Sequence, residues 1–248
     1  MIDLKTLKKI DTKSMYEVYD NWAKISKNTY NSDIKVAEFK NVDHVVFAGM
    51  GGSGTLGDIF SSILSKTNIH VSIVKGYRLP KTIDKNSLVV FTSVSGNTTE
   101  ILSILKDVKK QNCNTISFSS GGLLEKYCKK NNFEYRKIGK NHSPRGSFVT
   151  YLYSMLKVLE DIIPIEKNEI IDSIKGLEVL NKEISSKNLT DKNPAIRLAQ
   201  DISGIPLIYY PLGLQAAAIR FKNSLQENAK MHTIIEDVVE ASHNGIVA

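Results

Sequence analysis

The sequence predicts an α/β fold built around a doubly wound parallel sheet. From residue 42 onwards, short β-branched and aromatic runs alternate with segments whose apolar residues recur at helical spacing. A glycine-rich segment directly follows the first of these runs, as is typical of a strand-to-helix turn in such sheets. A second, shorter alternation begins near residue 193. These observations favour βαβ units in two successive α/β domains.

Five strands are expected in the first part of the chain. Before them, Ser14 and Glu17 form the pattern of a capping box, which predicts one amphipathic helix running through Trp22. The predicted strands are 42–48, 69–74, 87–92, 115–118 and 133–138. Helices are expected between them, and a longer helix is expected from Ser147 to a stop at Pro164.

The residues after Pro164 predict a second, smaller unit. A charged helix is expected up to residue 184, then a helix over 195–202 with Pro194 at its start. Two strands, 205–210 and 231–235, enclose a turn and helix over 213–226, and no clear element is expected from 236 to 248. We therefore divide the chain into domains 1–163 and 164–248. Because two strands make a poor sheet, the second domain is expected to be unusually small, completed by a partner, or truncated.

Composition excludes several classes of protein. The chain has 248 residues, 42% of them hydrophobic, and a net charge of +7. Its lysines are scattered rather than clustered and no nucleic-acid motif is present, so nucleic acid is not the expected partner. Cys113 and Cys128 stand apart, which argues for reduced thiols in a cytoplasmic protein rather than a disulfide or zinc site. No membrane span is expected because no long apolar run occurs.

The segment from Gly49 to Gly54, here called the glycine loop, predicts an anion site. It contains four glycines and Ser53, between a predicted strand and a predicted helix. Glycines let the backbone approach a ligand, and a helix start presents unpaired N–H groups. Backbone at Gly51 and Gly52 and the Ser53 side chain are therefore the expected groups that bind a phosphate or another small anion.

The same glycines also satisfy the pattern G-x-G-x-x-G of dinucleotide-binding proteins. That pattern requires an acidic residue after the next strand to bind a ribose. Here the next strand runs into Lys75 and Gly76, so no carboxylate is available. Lys75 suits a 2′-phosphate, which leaves an NADP-dependent reductase as an open alternative.

A second segment, residues 93–98, here called the serine loop, repeats this chemistry. It contains Ser93, Ser95 and Thr98 at the end of the third predicted strand. In a doubly wound sheet the first and third strands can be neighbours, so both loops are expected to face one anion. The alternative is that Ser95 and Thr98 only form a turn and cap the next helix.

The chain resembles the sugar isomerase (SIS) fold, and more closely the bifunctional phosphoglucose/phosphomannose isomerases. The resemblance rests on the two loops and on three later motifs. These motifs are Pro144-Arg145-Gly146, Gln226-Glu227-Asn228-Ala229-Lys230 and Ser242-His243-Asn244. It implies two SIS-type domains, the second incomplete, and metal-independent aldose–ketose isomerisation of a hexose 6-phosphate without a cofactor.

The resemblance also implies a role for each motif. Phosphate binding falls on Ser53, Ser93, Ser95 and Thr98, the catalytic arginine is Arg145, and the catalytic glutamate is Glu227. The ring-opening histidine is His243, which the family takes from the neighbouring subunit, so a homodimer is implied. Relatives continue for some tens of residues and add a catalytic lysine, so if the chain ends at Ala248 we expect the site to lack one ring-opening group and part of its wall but to keep its means of binding a phosphosugar. The alternative function is then a non-catalytic or regulatory phosphosugar-binding protein.

Elementary chemistry agrees with these roles. Isomerisation through a cis-enediolate needs a carboxylate base to move a proton between adjacent carbons. An arginine stabilises the developing oxyanion, and a histidine exchanges protons near neutrality. From the residues alone, a glutamate such as Glu227 is more often a solvated helix end than a base, and a histidine near a terminus such as His243 is usually inert.

Overall fold

A five-stranded parallel sheet organises the computed structural model, which describes residues 2–245. Its strands are β1 (His44–Gly49), β2 (His70–Val74), β3 (Ser87–Thr92), β4 (Asn114–Ser119) and β5 (Glu134–Lys137). The strand order is β2-β1-β3-β4-β5, and every neighbouring pair is parallel. The predicted α/β class and the adjacency of the first and third strands are confirmed. The order reverses between β1 and β3, where ligands of open α/β sheets bind.

Eleven α-helices precede, connect and follow the strands in the described part of the chain. They are α1 (Leu4–Ile10), α2 (Met15–Asp20), α3 (Trp22–Tyr30), α4 (Gly52–Leu64), α5 (Thr99–Val108), α6 (Gly122–Asn131), α7 (Phe148–Val158), α8 (Lys167–Ile184), α9 (Pro194–Asp201), α10 (Gln215–Ser224) and α11 (Val238–His243). A π-helical turn, Leu225–Ala229, extends α10. Local sequence explains several of these boundaries. Asn193, for example, accepts hydrogen bonds from two backbone N–H groups at the start of α9, and Pro194 follows it.

The two faces of the sheet bury two separate apolar cores. β1 and β3 are buried at every position, as expected for central strands of a parallel sheet. Along β1, Val45 and Phe47 contribute to the core beneath α4 and α7, while Val46 and Ala48 contribute to the core beneath α5 and α6. This alternation fixes the register of β1, because a slip of one residue would exchange its two faces.

The predicted capping box at Ser14 does not form, and the predicted single helix is two helices. Ser14 adopts a left-handed conformation (φ 53°) and its side chain caps nothing. The helical run breaks at Asn21, so Trp22 begins a new helix. Its indole N–H donates to the Gly146 carbonyl at 3.2 Å. The predicted stop at Pro164 is also wrong, because α7 ends at Val158.

A two-stranded parallel sheet forms in the second part of the chain. It pairs β6 (Leu207–Tyr210) with β7 (Ile234–Asp237). The predicted strand 231–235 began too early, because β7 begins at Ile234. No element was expected over 236–248, but α11 forms within this segment, and residues 246–248 lie outside the described part of the chain. Leu207 and Ile234 are about half exposed, so the apolar surface of this small sheet is only partly covered.

The long helix α8 packs on the first sheet domain. It contacts α3, and its residues Ile170 and Ile174 belong to the core beneath α7. The domain division at residues 163 and 164 stays a prediction. Within residues 2–245, no helix is both long and apolar enough to cross a membrane.

A buried histidine at the start of β1 makes stability depend on pH. The His44 ring lies 4.7 Å from the His70 ring and 2.9 Å, Nε2 to Oγ, from Ser72. Burial and then the charge of His70 lower the pKa of His44, against the opposing effect of Asp43 and Asp84. The unfolded chain, with an ordinary histidine pKa near 6.5, therefore binds the proton more readily.

We expect the free energy of unfolding to fall as the pH is lowered from about 6.5 through the depressed pKa of His44. Urea unfolding at several pH values measures it. The variant His44→Asn should flatten this dependence, whereas the same change at the exposed His232 should leave it intact. Equal slopes in all three proteins would contradict the assignment.

Candidate active site

The glycine loop and the serine loop leave the sheet side by side. Gly49, the last residue of β1, pairs with Thr92, the last residue of β3. The two loops therefore begin at the same edge, at the point where the strand order reverses. Such an edge, with two strand-to-helix turns side by side, is where open α/β sheets bind ligands.

Backbone packing makes the glycine loop specific. A Cβ on Gly49 would lie 2.6 Å from the Ser53 carbonyl oxygen, and one on Gly54 would lie 2.9 Å from the Gly49 oxygen. Gly51 has φ 55°, and a Cβ there or on Gly52 would meet nothing within 4 Å. Gly49 and Gly54 thus allow the turn to pack closely against α4. Gly51 and Gly52 have open space beside the backbone at the start of the helix. Ser53, in the first turn, is partly exposed.

The hydroxyl groups of the serine loop have different surroundings. Ser93 is buried, and its Oγ lies 2.7 Å from Thr98 Oγ1 and accepts from the Gly96 N–H at 3.1 Å. Ser95 is exposed, and its Oγ accepts from the Asn97 N–H at 3.2 Å. Thr98 is partly exposed at the start of α5. In this structure Ser93 therefore organises the loop, and Ser95 and Thr98 are accessible.

Gly96 holds the serine loop against the turn before α6. Its φ is 68°, and a Cβ would lie 1.8 Å from the Gly121 carbonyl oxygen, too close for backbone to accommodate without a shift. We expect Gly96→Ala to destabilise the protein by about 3 kcal/mol, combining left-handed strain with overpacking. Denaturant unfolding measures the loss. Gly139→Ala, with open space at its Cβ, should cost well under 1 kcal/mol. Similar costs for both variants would contradict this.

The structure brings together Arg145 and Glu227, which lie 82 residues apart. Arg145 Nη1 donates to Glu227 Oε2 at 3.0 Å, and both side chains remain partly exposed. Arg145 lies in the loop between β5 and α7, and Glu227 lies in the π-helical turn after α10. Lys230 Nζ donates to the Glu227 carbonyl at 2.8 Å, which closes this turn. An accessible base and a cation are therefore paired.

Packing of α10 on α4 places this pair near the glycine loop. The two helices are in extensive contact, and Asn223 Nδ2 donates to Thr55 Oγ1 at 3.4 Å. Thr55 follows the glycine loop on α4, and Asn223 precedes the turn that carries Glu227. Arg145 follows β5, so it also lies at the carboxyl edge of the sheet.

His243 is placed differently. It is exposed at the last position of α11, a helix that packs on β7. Within residues 2–245, no hydrogen bond or ion pair joins His243 to Arg145 or Glu227. In the described part of one chain, direct polar contact thus joins Arg145 to Glu227 and does not include His243.

Lys75 forms an ion pair inside the protein, although the dinucleotide alternative requires it to bind a 2′-phosphate. Its Nζ donates to both carboxylate oxygens of the buried Asp58, at 2.7 and 2.8 Å. This ion pair argues against the NADP alternative, because binding a 2′-phosphate would leave Asp58 unpaired. In the described part of the chain, no three His, Cys, Asp or Glu side chains are grouped as a metal site.

Sequence reasoning missed Arg220. Its Nη2 donates to the Arg145 carbonyl at 3.0 Å, so it contacts the loop of the candidate site directly. No pattern singled it out, because a lone arginine on a polar helix is ordinary and its burial depends on distant aromatic residues.

Two family models match the chain. The SIS domain model matches residues 38–129, and the model described as the bacterial phospho-glucose isomerase C-terminal SIS domain matches residues 191–248. A bifunctional phosphoglucose/phosphomannose isomerase from Caldicellulosiruptor bescii is 30% identical over 241 residues, which are 94% of this chain and 70% of that protein. The chain belongs to the bifunctional phosphoglucose/phosphomannose isomerase family. The resemblance inferred from the motifs is confirmed.

Other relatives of this isomerase family member carry either the same name or the name of an epimerase that acts on a sugar phosphate. The Aquifex aeolicus enzyme of that name is 30% identical, and the match covers 82% of this chain and 61% of that protein. A D-glucosamine-6-phosphate 4-epimerase from Sulfolobus acidocaldarius is 25% identical over 94% of this chain. The chain thus spans roughly two thirds of the length of its relatives.

Solved structures confirm the fold. The C-terminal domain of glucosamine-fructose-6-phosphate aminotransferase from Francisella tularensis superposes with a TM-score of 0.67 at 16% identity. That match covers 94% of this chain and 72% of the other. At this identity the likeness supports the SIS architecture alone.

Proposed function

We propose that this family member interconverts glucose 6-phosphate or mannose 6-phosphate with fructose 6-phosphate. The single observation that carries the proposal is the contact between Arg145 and Glu227, close to the glycine loop. A carboxylate beside a cation, next to two adjacent anion-binding loops, suits proton transfer on a phosphorylated sugar. Family membership supports the same class of reaction.

Phosphate binding falls to the two loops. The open backbone at Gly51 and Gly52 presents N–H groups at the start of α4, and Ser53 adds a hydroxyl donor. Ser95 and Thr98 add donors from the neighbouring loop, and Ser93 holds that loop in shape. The division into a phosphate-binding domain, 1–163, and a second domain, 164–248, remains part of this proposal.

Proton transfer falls to Glu227. As a base it takes the proton from C2 of the open-chain aldose, which leaves the C1 oxygen as the negative oxygen of a cis-enediolate. The C1 oxygen then gains the proton that the C2 hydroxyl loses, and the Glu227 carboxyl returns its proton to C1, so the C2 oxygen becomes the ketone and no atom or electron is gained or lost overall. Arg145 stabilises the negative oxygen of the intermediate. The reaction uses no metal and no cofactor.

Ring opening falls to His243 of a second copy. His243 is exposed at the end of α11, and the family takes this histidine from the neighbouring subunit, so a neighbouring chain in a homodimer is the proposed donor. We place the enzyme in the cytoplasm, as expected for a chain with scattered reduced thiols.

A coupled assay tests the function. The protein is incubated with fructose 6-phosphate in the presence of EDTA, and glucose 6-phosphate and mannose 6-phosphate are measured separately. Formation of either product supports the proposal. Binding of fructose 6-phosphate without turnover would instead support the non-catalytic phosphosugar-binding alternative. Glucosamine 6-phosphate is assayed in parallel, because one relative is named as an epimerase of that sugar.

A further inference from the structure

Arg220 lies at the contact between α10 and the first sheet domain. Its guanidinium carbon is 4.8 Å from the centre of the Phe148 ring and 6.0 Å from that of Trp22. The two rings stack on each other with centres 6.3 Å apart. A guanidinium over aromatic faces is attracted by their π electrons, so this pair of rings holds the head group in one position.

The same group fixes the backbone that carries Arg145. Arg220 Nη2 donates to the Arg145 carbonyl at 3.0 Å, and the Trp22 indole donates to the next carbonyl, Gly146, at 3.2 Å. Two successive carbonyls of one loop are thus held by side chains from two different helices. Inside the loop, the Gly146 N–H donates to Ser143 Oγ at 3.3 Å.

Arg220, Arg145 and Glu227 are linked to one another in a closed series of contacts. Arg220 binds the backbone of Arg145, the side chain of Arg145 binds Glu227, and Glu227 follows Arg220 two turns later on the same helical run. Movement of α10 therefore moves both ends of the catalytic pair together. Arg220 therefore links the position of the base, Glu227, to the position of the cation, Arg145.

Burial removes the Arg220 guanidinium from water, and its hydrogen bonds within the protein replace only part of those lost to water. Its Nε and Nη1 are buried, and neither has a hydrogen-bond partner among the described residues. No described carboxylate pairs with it either, since the ion pairs of this region join other residues. A buried N–H without a partner costs on the order of 1–3 kcal/mol, so stability alone does not account for an arginine here.

We propose that Arg220 is a positioning residue that acts through Arg145. It holds the loop from residue 143 to 147 so that the Arg145 guanidinium meets Glu227, and it does not touch the sugar phosphate. The inference rests on the proposed isomerase function, in which Arg145 and Glu227 act on the substrate.

Three variants test the role. Arg220→Met keeps the apolar stem and removes the donors, and Arg220→Lys keeps a charge with a single point of contact. Arg136→Met is the matched control, because Arg136 also donates to backbone carbonyls, those of Lys35 and Val36, but lies outside the site. For each protein, kcat and KM for fructose 6-phosphate and hydrogen exchange of residues 139–147 are measured.

Arg220→Met should lower kcat about 30-fold with KM within 2-fold, because misplacement of a catalytic group affects the chemical step. Exchange in the loop should become at least 10-fold faster, since its amides are bonded within the loop. Arg220→Lys should recover part of both losses, and Arg136→Met should change neither.

Two results would overturn the proposal. Unchanged loop exchange in Arg220→Met would remove the positioning role, and a rise in KM matching the fall in kcat would place Arg220 on the substrate. If the unaltered protein shows no turnover, the isomerase function fails instead. Loop exchange then decides the role of Arg220 by itself.

Discussion

Glu227→Gln is expected to lower kcat for isomerisation by about 10³-fold, within the range that a general base contributes. The amide oxygen still accepts from Arg145, so the contact of 3.0 Å and the fold survive, but the side chain cannot take up a proton. KM should therefore stay within a few-fold of its original value. Steady-state kinetics with fructose 6-phosphate measures both quantities.

The matched control is Glu178→Gln, which makes the same change on the exposed face of α8. It should leave kcat unaltered. Retention of more than a tenth of the original kcat by Glu227→Gln would show that another group is the base.

The same variant tests whether His243 acts across a dimer. Mixed with His243→Ala protein and allowed to exchange subunits, Glu227→Gln should regain roughly a quarter of the original activity. Half of the dimers would be mixed, and each would hold one intact site. Recovery is impossible if both residues serve the site of their own chain.

Ser95→Asp is expected to weaken binding of fructose 6-phosphate by at least about 100-fold. Ser95 is the exposed hydroxyl of the serine loop, and a carboxylate there would stand beside the phosphate. Like charges about 4 Å apart repel by about 4 kcal/mol at the dielectric of a protein surface. Calorimetric titration measures the dissociation constant and needs no turnover.

Ser95→Asn is the control for this change, because asparagine has the shape of aspartate without its charge. Its effect should stay below about 10-fold, and raising the salt concentration should reduce the gap between the two variants. If aspartate and asparagine weaken binding equally, Ser95 does not face the phosphate. That outcome would also count against the pairing of the two loops on one anion.

The sequence predicted the first sheet well because its signals are local. The third strand, 87–92, was predicted residue for residue, since a run of apolar β-branched residues between turns reads as a buried strand. The glycine loop was equally clear from its four glycines, and the structure gives the reason for two of them: a Cβ on Gly49 or Gly54 would lie 2.6 or 2.9 Å from a backbone oxygen.

Prediction was weaker wherever a distant contact sets the structure. Periodicity placed the last strand at 231–235, yet β7 is Ile234–Asp237, because pairing with β6 decides its register. One continuous apolar pattern spans α2 and α3, but the chain breaks at Asn21, and Trp22 contacts the loop at Gly146.

By itself the sequence determined the α/β class, and it singled out the glycine loop and the serine loop and the residues for which we propose roles in the chemistry. Glycine conformation, apolar periodicity and helix starts depend on a few neighbouring residues, so they can be read along the chain. Only the tertiary structure decided that Arg145 meets Glu227 and that Arg220 contacts the backbone of the loop that carries Arg145. These contacts join segments 75 and 82 residues apart, and their geometry depends on how α10 packs against the first sheet domain.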